Sequence, residues 1–510
     1  MWSLVQYRRI AKQVEAEVES GHTQSRNNKE EPIIVSTIGD NDPIDPKNWP
    51  LAARCKNIAI LFFLIFGQGY SAGAESMTNA DAAKEYGVGP ALEALSTAMY
   101  LFGMGSGALF AGPLSETFGR NLVYLTSTFC YLFFVLGSAL RPTFGGHVAC
   151  RYLVGLFASG TLGSNGSSVQ DQFSFVGRTF AFPVIAWANV AAPVIAPIAG
   201  GWITANLKLG WHWTEWVTLI ISGTAFLISF LFLPETYLPK LLDWKAEHLR
   251  RLTNDQRYVS EHSRKLRQKS FGQRLRTRLS LPLKFIHTEP VIIVLGVYLI
   301  LLYTLLFTFM SGFDKIFRQA HNLTRGQTGA CFGAIAAGAT SFMLAVPGLY
   351  LWARRRKARL TQDADDDATL EPEFRLYPGF VAGPLLPVAL FWLGWTDVER
   401  IPMWSVLGAC FLFGLVLMAL YTSSYGYIVD SYGVHAASAL STITMLRYII
   451  AGGMAMGTRP LFTLPGFGVK WTMTVLGGVA VVLAPAPFVF WKMGPKLRKR
   501  SLYAISPREK

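Results

Sequence analysis

Two arginines, Arg151 and Arg447, stand inside long apolar runs of this 510-residue chain. An arginine at the centre of a lipid-embedded helix costs on the order of 2.5–3.5 kcal/mol on an insertion scale, so it needs a partner or a task. Arg151 lies near the end of its run, where snorkelling to the headgroups is the alternative to pairing. Arg447 lies about thirteen residues into its run, roughly 20 Å deep at helical rise. It is either bonded to carbonyls of a neighbouring helix or is a cavity cation that orients a polar or anionic group of a ligand. Glu75, Asp81 and Glu93 fall at run ends, as candidates for an outer vestibule, and Asp430 falls at an inner mouth. No carboxylate lies clearly at the centre of a run. That argues against a polycationic ligand, which would need buried negative partners, and favours a neutral or weakly acidic amphipathic molecule. The chain has no Walker lysine, no His-Glu-x-x-His and no Gly-x-Ser-x-Gly, so the expected chemistry is binding and proton exchange rather than catalysis. Its five cysteines lie singly, with no metal-ligand spacing. An enzyme, a cofactor and a bound metal are therefore not expected.

The elements that must position these residues are membrane helices. The chain is 51% hydrophobic and only 15% charged, whereas a soluble chain carries about a quarter charged residues. Apolar spans fall at 56–75, 91–113, 122–140, 148–170, 179–204 and 213–233, then at 290–311, 328–352, 377–395, 402–426, 434–457 and 472–492. Each is long enough to cross a bilayer at about 1.5 Å per residue. The expected division is a polar tail over 1–50, expected to be mostly disordered with a short helical possibility near its start, a six-helix half over 51–233, a loop over 234–289, a second half over 290–492 and a tail over 493–510. The middle loop holds 13 Lys/Arg against 6 Asp/Glu. With both tails and this loop in the cytoplasm, the run Arg354-Arg355-Arg356-Lys357 also lies inside, while the outer loops keep Lys84, Arg141, Lys208 and Arg400 singly. The reversed orientation would put nearly all the basic charge outside and is rejected. The net charge of +15 follows from this bias, so a nucleic-acid partner is not expected.

Three local patterns stand out. Between spans two and three the chain reads Gly112-Pro113-Leu114-Ser115-Glu116-Thr117-Phe118-Gly119-Arg120. The glycines permit close helix approach, and an acid and a base four apart can pair with each other or with a helix end. Asp171, at the inner end of span four, can join Glu116 and Arg120 in one cluster. Span five contains Ala192-Pro193-Val194-Ile195-Ala196-Pro197-Ile198-Ala199-Gly200-Gly201, small residues that allow backbone-to-backbone packing, with prolines that each remove a helical hydrogen bond. Gln68, Trp187, Asn189, Tyr303, Tyr421 and Tyr425 can wall a cavity, or simply pack at the core or lipid interface. Gly103-Met104-Gly105-Ser106-Gly107 lies within a span and reads as helix packing rather than a phosphate loop.

The first pattern resembles the major facilitator superfamily signature Gly-x-x-x-Asp-Arg-x-Gly-Arg-Arg, with Glu116 for the acid, Thr117 for the first base and Asn121 for the last. Arg151-Tyr152-Leu153-Val154-Gly155 is similar to that superfamily's Arg-x-x-x-Gly element, and the span-five run to its antiporter element. Asp42–Trp49, Trp213-Thr214-Glu215-Trp216, Pro234-Glu235-Thr236-Tyr237, Pro372-Glu373-Phe374-Arg375-Leu376 and Ala436–Leu440 resemble fungal twelve-span drug:proton antiporters. The resemblance implies an all-α membrane bundle of two pseudo-symmetric six-helix halves around a central cavity. It also implies a gating charge lock at Gly112, Glu116, Gly119, Arg120 and Asp171, proton coupling through Arg151, Glu75 or Asp430, and an exchange element at Pro193, Ala196, Pro197, Gly200 and Gly201. The function so implied is proton-coupled export of a small amphipathic molecule by a monomer in the lipid of the plasma or vacuolar membrane. Import by a symporter or facilitator, or sensing without flux, shares the same fold.

Overall fold

The computed structural model describes residues 1–20, 32–37, 39, 41–140, 143–206, 208–268, 270–319, 321–363, 371–396, 401–501 and 503–504. Arg141 and Arg400, two of the single outer-loop charges, lie outside these. The chain opens with α1 (Trp2–Glu19) and a short β1 (Ile33–Val35). The first half follows as α2 (Leu51–Gly73), α3 (Asn79–Tyr86), α4 (Pro90–Phe118), α5 (Arg120–Ala139), α6 (Phe144–Leu162), α7 (Asn165–Gln172), α8 (Phe175–Ala205) and α9 (Trp213–Phe232). A connecting segment holds α10 (Leu238–Thr253), β2 (Tyr258–Ser260), α11 (Glu261–Gln268) and α12 (Phe271–Thr288). The second half is α13 (Pro290–Phe313), α14 (Arg325–Asp363), α15 (Tyr377–Thr396), α16 (Met403–Tyr432), α17 (Ala436–Thr463), α18 (Gly468–Leu483) and α19 (Ala486–Arg500).

Among the described residues, eleven helical stretches are long and apolar enough to cross a bilayer, the last running through α18 and α19. The twelfth place belongs to α6. Its face bears His147, Arg151, Ser159 and Thr161, all buried, because it packs between α4 and α5. A helix enclosed by protein can carry polar side chains that a lipid-facing one cannot. Exposed Phe129, Phe133, Leu344, Trp404 and Val482 mark the lipid-facing rim of the bundle.

Two seams join the halves: α4 against α17, and α8 against α14. Gly103 and Gly107 face α6, where the Tyr152 and Leu156 carbonyls leave no room for a Cβ, while Gly105 faces the Met445 carbonyl of α17. The Gly103–Gly107 run therefore serves close packing on two sides of α4, as its apolar surroundings led us to expect.

The amino-terminal tail corrects one expectation. The short helix expected near its start is α1, 18 residues long, and it docks on the connecting segment. Ile10 and Val14 join Val35, Ile44, Leu241, Ala246, Leu249 and Tyr258 in a separate small core. β1 pairs in parallel with β2, Ile33 opposite Tyr258 and Val35 opposite Ser260. Lys245 meets Glu17 at 3.0 Å, and Gln6 exchanges two hydrogen bonds with the Glu235 backbone at 2.9 and 3.1 Å. The tail's average composition is polar. What folds it is a pair of apolar residues four apart, one helical turn, meeting a matching stripe about 230 positions away. Burial of the α10 face also perturbs its imidazole: His248 is held below the usual histidine range, by desolvation first.

Val14 has no exposed surface, so Val14→Asp would bury a carboxylate without a partner, a cost of several kcal/mol. The expected outcome is an undocked α1, read in the purified protein as at least a ten-fold faster tryptic cut at Arg8 and Lys12 with the twelve-helix bundle intact.

Candidate functional site

Three layers of polar side chains are stacked through the apolar bundle. The first lies at the end that carries both tails and the connecting segment. Gly119 there has φ of +100°, a conformation that favours glycine, and the Glu235 carboxylate occupies the space a Cβ would need. That carboxylate accepts the backbone N–H groups of Arg120 and Asn121 at 3.0 and 3.1 Å. It also accepts those of Thr236 and Tyr237 at 2.9 and 2.8 Å. Glu235 thus caps the amino terminus of α5 from another part of the chain, where an anion meets the positive end of the helix dipole. Burial pushes its carboxyl above the usual range, while these N–H groups pull the other way. The Asn121 side chain donates to the Leu233 carbonyl at 2.7 Å.

Arg120 meets Asp171 at 3.1 Å, and Glu116 is close enough to act on the charge of both. The expected Glu116–Arg120–Asp171 cluster is therefore assembled. Gly112 has open space beside it and brings no helix close, contrary to the expectation for that glycine. This cluster lies wholly within the first half, so it does not itself bind the halves together. A second cluster does. Arg375, just before α15, meets Asp430 of α16 at 2.7 Å, and Arg178 of α8 meets the other Asp430 oxygen at 2.7 Å. Arg375 also donates to Thr179 Oγ1 and the Phe175 carbonyl at 2.7 and 2.8 Å. Arg120–Asp171 and Arg375–Asp430 are the same pair built once in each half, and Arg178 converts the second into a latch across the seam. With both oxygens held by guanidinium groups, Asp430 is placed in the latch rather than as an open proton site. Arg178 escaped sequence reading because it lies at a helix start, where a surface cation is the usual occupant, and Arg375 was read only as part of a resemblance.

The second layer is central. Arg447 is 1% exposed, and its guanidinium lies over the rings of Tyr303, Tyr448 and Tyr421 at 4.2, 4.9 and 5.6 Å. Tyr421 stacks on Tyr425 at 5.3 Å, and Tyr425 on Phe182 of α8 at 5.1 Å. This aromatic ladder runs from the second half into the first. Cation–π contacts of this kind are worth up to about 2 kcal/mol each when desolvated, less than the several kcal/mol it costs to bury a charge. Tyr448 was missed, although it adjoins Arg447 in the sequence. Two expected wall residues sit elsewhere. Gln68 is a strut inside the first half, donating to Thr128 and Thr161 at 3.1 and 3.2 Å. Trp187 stacks on Phe62 and Phe66 and donates to the exposed Thr340 at 3.0 Å, at the side of the α8–α14 seam. Asn189 is buried and donates to the Ile185 carbonyl of its own helix at 3.0 Å. Between this layer and the latch lies a pocket lined by Phe182, Gly426, Thr422 and Asp430 with about 50 Å³ of open volume. Ligand pockets commonly hold about 300–1,000 Å³, so the conformation is closed over the site.

The third layer lies toward the far end. Arg151 has no exposed surface and meets Glu75 at 3.2 Å and Glu215 at 3.3 Å. It does not snorkel. His147 Nε2 lies 2.9 Å from Glu75, and Ser96 links Glu75 to Glu93 at 2.8 and 3.1 Å. Glu75, Glu93 and His147 have ligand atoms within 4.8 Å of one another, but the Arg151 guanidinium against Glu75 opposes a further cation. Three buried carboxylates thus share one arginine and one histidine. Glu215 was read only as part of a resemblance. An acid two residues inside an apolar span was the signal that could have found it. Beyond this cluster Asp81 pairs with Arg325, across the seam and so closing the far end.

The antiporter-like run is the wedge of this seam. On one face of α8, Pro193 meets Gly73, Ala196 packs with Tyr70 and Ala74, and Gly200 meets the Ala74 carbonyl. On the other, Pro197 and Gly201 lie against Gly329 of α14, with Cα of Gly329 3.2 Å from where a Gly201 Cβ would stand.

Two six-helix halves meeting at small-residue seams, with polar layers between and beside them, define a membrane carrier. The chain matches the Major Facilitator Superfamily over residues 60–456 and belongs to it. It is 35% identical over 469 residues to the MFS-type transporter kojT of Aspergillus flavus, covering 92% of this chain and 82% of that one. It is 29% identical to the major facilitator superfamily multidrug transporter FLU1 of Candida albicans, covering 93% and 77%. The fold matches the proton:xylose symporter XylE of E. coli with a TM-score of 0.64 at 12% identity, over 88% of this chain and 97% of that one. The protein is therefore a multi-pass membrane transporter of a small molecule, not an enzyme.

Asp430→Asn would leave two guanidinium groups short of their anion and loosen the latch. With Val429→Cys as reporter on a Cys55→Ser background, alkylation from the tail end is expected to quicken at least ten-fold, about 1.4 kcal/mol in the opening equilibrium. An unchanged rate at equal protein abundance would show that the latch does not hold this end shut.

Proposed function

We propose that the protein is a proton-coupled antiporter that exports a small amphipathic molecule by alternating access, as a monomer. The end with both tails and the connecting segment faces the cytoplasm, on the bias of Lys/Arg. The plasma membrane is the favoured location. The observation that carries the proton coupling is the far-end cluster: Glu75, Glu93 and Glu215 against Arg151 and His147. Glu75, Glu93 and Glu215 cannot all be ionised in a desolvated site against Arg151, even with Arg459 of α17 also acting on Glu93, because like charges at this spacing disfavour joint ionisation. The cluster therefore holds at least one proton when closed, and it sits beside the end that would open outward.

In the outward-open state, water reaches the cluster and a proton binds from outside. Closure carries that proton inward, and the latch at Asp430 opens in turn to release it and admit substrate. Substrate and proton drive the cycle only by binding the two open states unequally. The similarity to transporters that include a multidrug carrier supports export over import. Gating by ion pairs at both ends, Arg178–Asp430 and Arg325–Asp81, supports a cycle with a closed intermediate.

In reconstituted vesicles, acidifying the face opposite the tails is expected to accelerate export several-fold per pH unit until the cluster saturates. Glu75→Gln should abolish that acceleration while leaving substrate exchange at equal pH. If acidification leaves export unchanged in the native protein, antiport is wrong.

A further inference from the structure

Among the described residues, the buried basic side chains Arg120, Arg151, Lys245 and Arg498 each meet a carboxylate: Asp171, Glu75 with Glu215, Glu17 and Glu373. Arg447 is equally buried and meets none within 4.0 Å. Its Nε and Nη1 also have no hydrogen-bond partner. An arginine placed for structure alone would spend its N–H groups on neighbouring carbonyls, since each donor left bare in a dry interior is costly. Arg447 rests instead against three tyrosine rings with one side-chain hydrogen bond to Tyr448, an arrangement that does not occupy a planar pair of its N–H groups. The side chain is a fork without its anion.

The surroundings say what kind of anion would fit. The Thr304 and Thr308 hydroxyls, both on α13, are buried and without partners. The Tyr421–Tyr425–Phe182 ladder presents flat faces to a flat guest. A guanidinium matches a carboxylate in two parallel hydrogen bonds, and aromatic faces take a planar ring in offset stacking. We propose that Arg447 anchors the anionic group of a transported planar aromatic monoanion, with its ring between the tyrosines of the second half and Phe182 of the first. In the closed, ligand-free arrangement the tyrosine faces stand in for that anion. This names the substrate class of the site under Proposed function and rests on that reading for the site's role in transport. It does not rest on the proton cluster, whose groups all lie in the other half.

The test is equilibrium binding to the purified, detergent-solubilised protein at neutral pH with no gradient, using three probes of one shape: 4-hydroxybenzoate, 4-hydroxybenzamide and 4-hydroxybenzylamine. By titration calorimetry the carboxylate should bind at least ten-fold tighter than the neutral amide, with the amine weakest. Arg447→Gln should erase that order, and Arg447→Lys should keep part of it. Equal affinity for the three probes, no binding of the carboxylate, or an unchanged order in Arg447→Gln each overturns the proposal. The comparison within the native protein stands even if a variant does not fold. Because no gradient is present, carboxylate preference without acid-driven export would sink antiport alone, and acid-driven export without carboxylate preference would sink the anion site alone.

Discussion

A charge taken out of water must be met by an opposite charge, and the polar architecture of this bundle follows from that constraint. In a lipid-embedded protein the alternatives are few: pair the charge, neutralise it with a proton, or keep it for something that comes and goes. All three answers are present. The Arg120–Asp171 and Arg375–Asp430 pairs take the first. The three carboxylates around Arg151 are too many for the first and are assigned the second. Arg447, with no carboxylate within reach among the described residues, is assigned the third. Pairs that join helices of one half hold that half together, whereas pairs that cross between halves, such as Arg178–Asp430, would have to break in the alternating-access cycle proposed above. The far-end pair Arg325–Asp81 is partly exposed on both sides, 25% and 28%, which lowers its cost of breaking, whereas Asp430 at the other end is buried.

The seams obey a different rule. Where helices must slide or tilt against each other, bulky side chains would interlock and resist, while glycine and alanine give smooth surfaces with many weak contacts. Gly105 on α4 and Gly201 against Gly329 on α8 and α14 are such surfaces. By contrast, Gly103, Gly107 and Gly155 lock α4 to α6 inside one half, each against a carbonyl of the partner helix. The same residue type thus makes a tight joint within a half and a sliding joint between halves. The difference lies in what faces it.

Much of the fold was legible in the sequence because lipid demands long apolar runs, and those are visible one residue at a time. All six spans of the second half, and five of the first, reappear as helices long and apolar enough to cross a bilayer. Span four, the α6 run, reappears as the twelfth helix. What sequence could not show was which surfaces face each other. The docking of α1 on α10 depends on two residues finding a stripe far along the chain, and average composition hides it. Gln68 and Trp187 were plausible cavity residues by type, but type does not say which side of a helix points inward. Glu116 and Arg120 were read as a charge cluster, yet the residue that completes the turn, Glu235, was noticed only as part of a motif. Long-range partners are set by packing, and packing is the information that a one-dimensional pattern lacks. Arg447 is the instructive exception: an arginine in mid-span is anomalous whatever surrounds it, so its position could be singled out before its neighbours were known.

The far-end cluster and the central Arg447 lie in opposite halves, and this limits how they can communicate. A proton on Glu75 or Glu215 cannot displace a ligand on Arg447 by touching it. The shortest physical connection runs through Tyr100 on α4. Its ring lies 4.9 Å from the Arg151 guanidinium, and its hydroxyl donates to the Gln68 carbonyl at 2.7 Å. Tyr448, next to Arg447, is near enough to Tyr100 to act on it electrostatically. α4 is also the helix that meets α17 across the seam. A change of charge around Arg151 therefore acts on the helix that Arg447's own helix must move against. Competition between proton and substrate would then be a competition between conformations rather than for one place, with the α4–α17 seam as the element that both ligands bias.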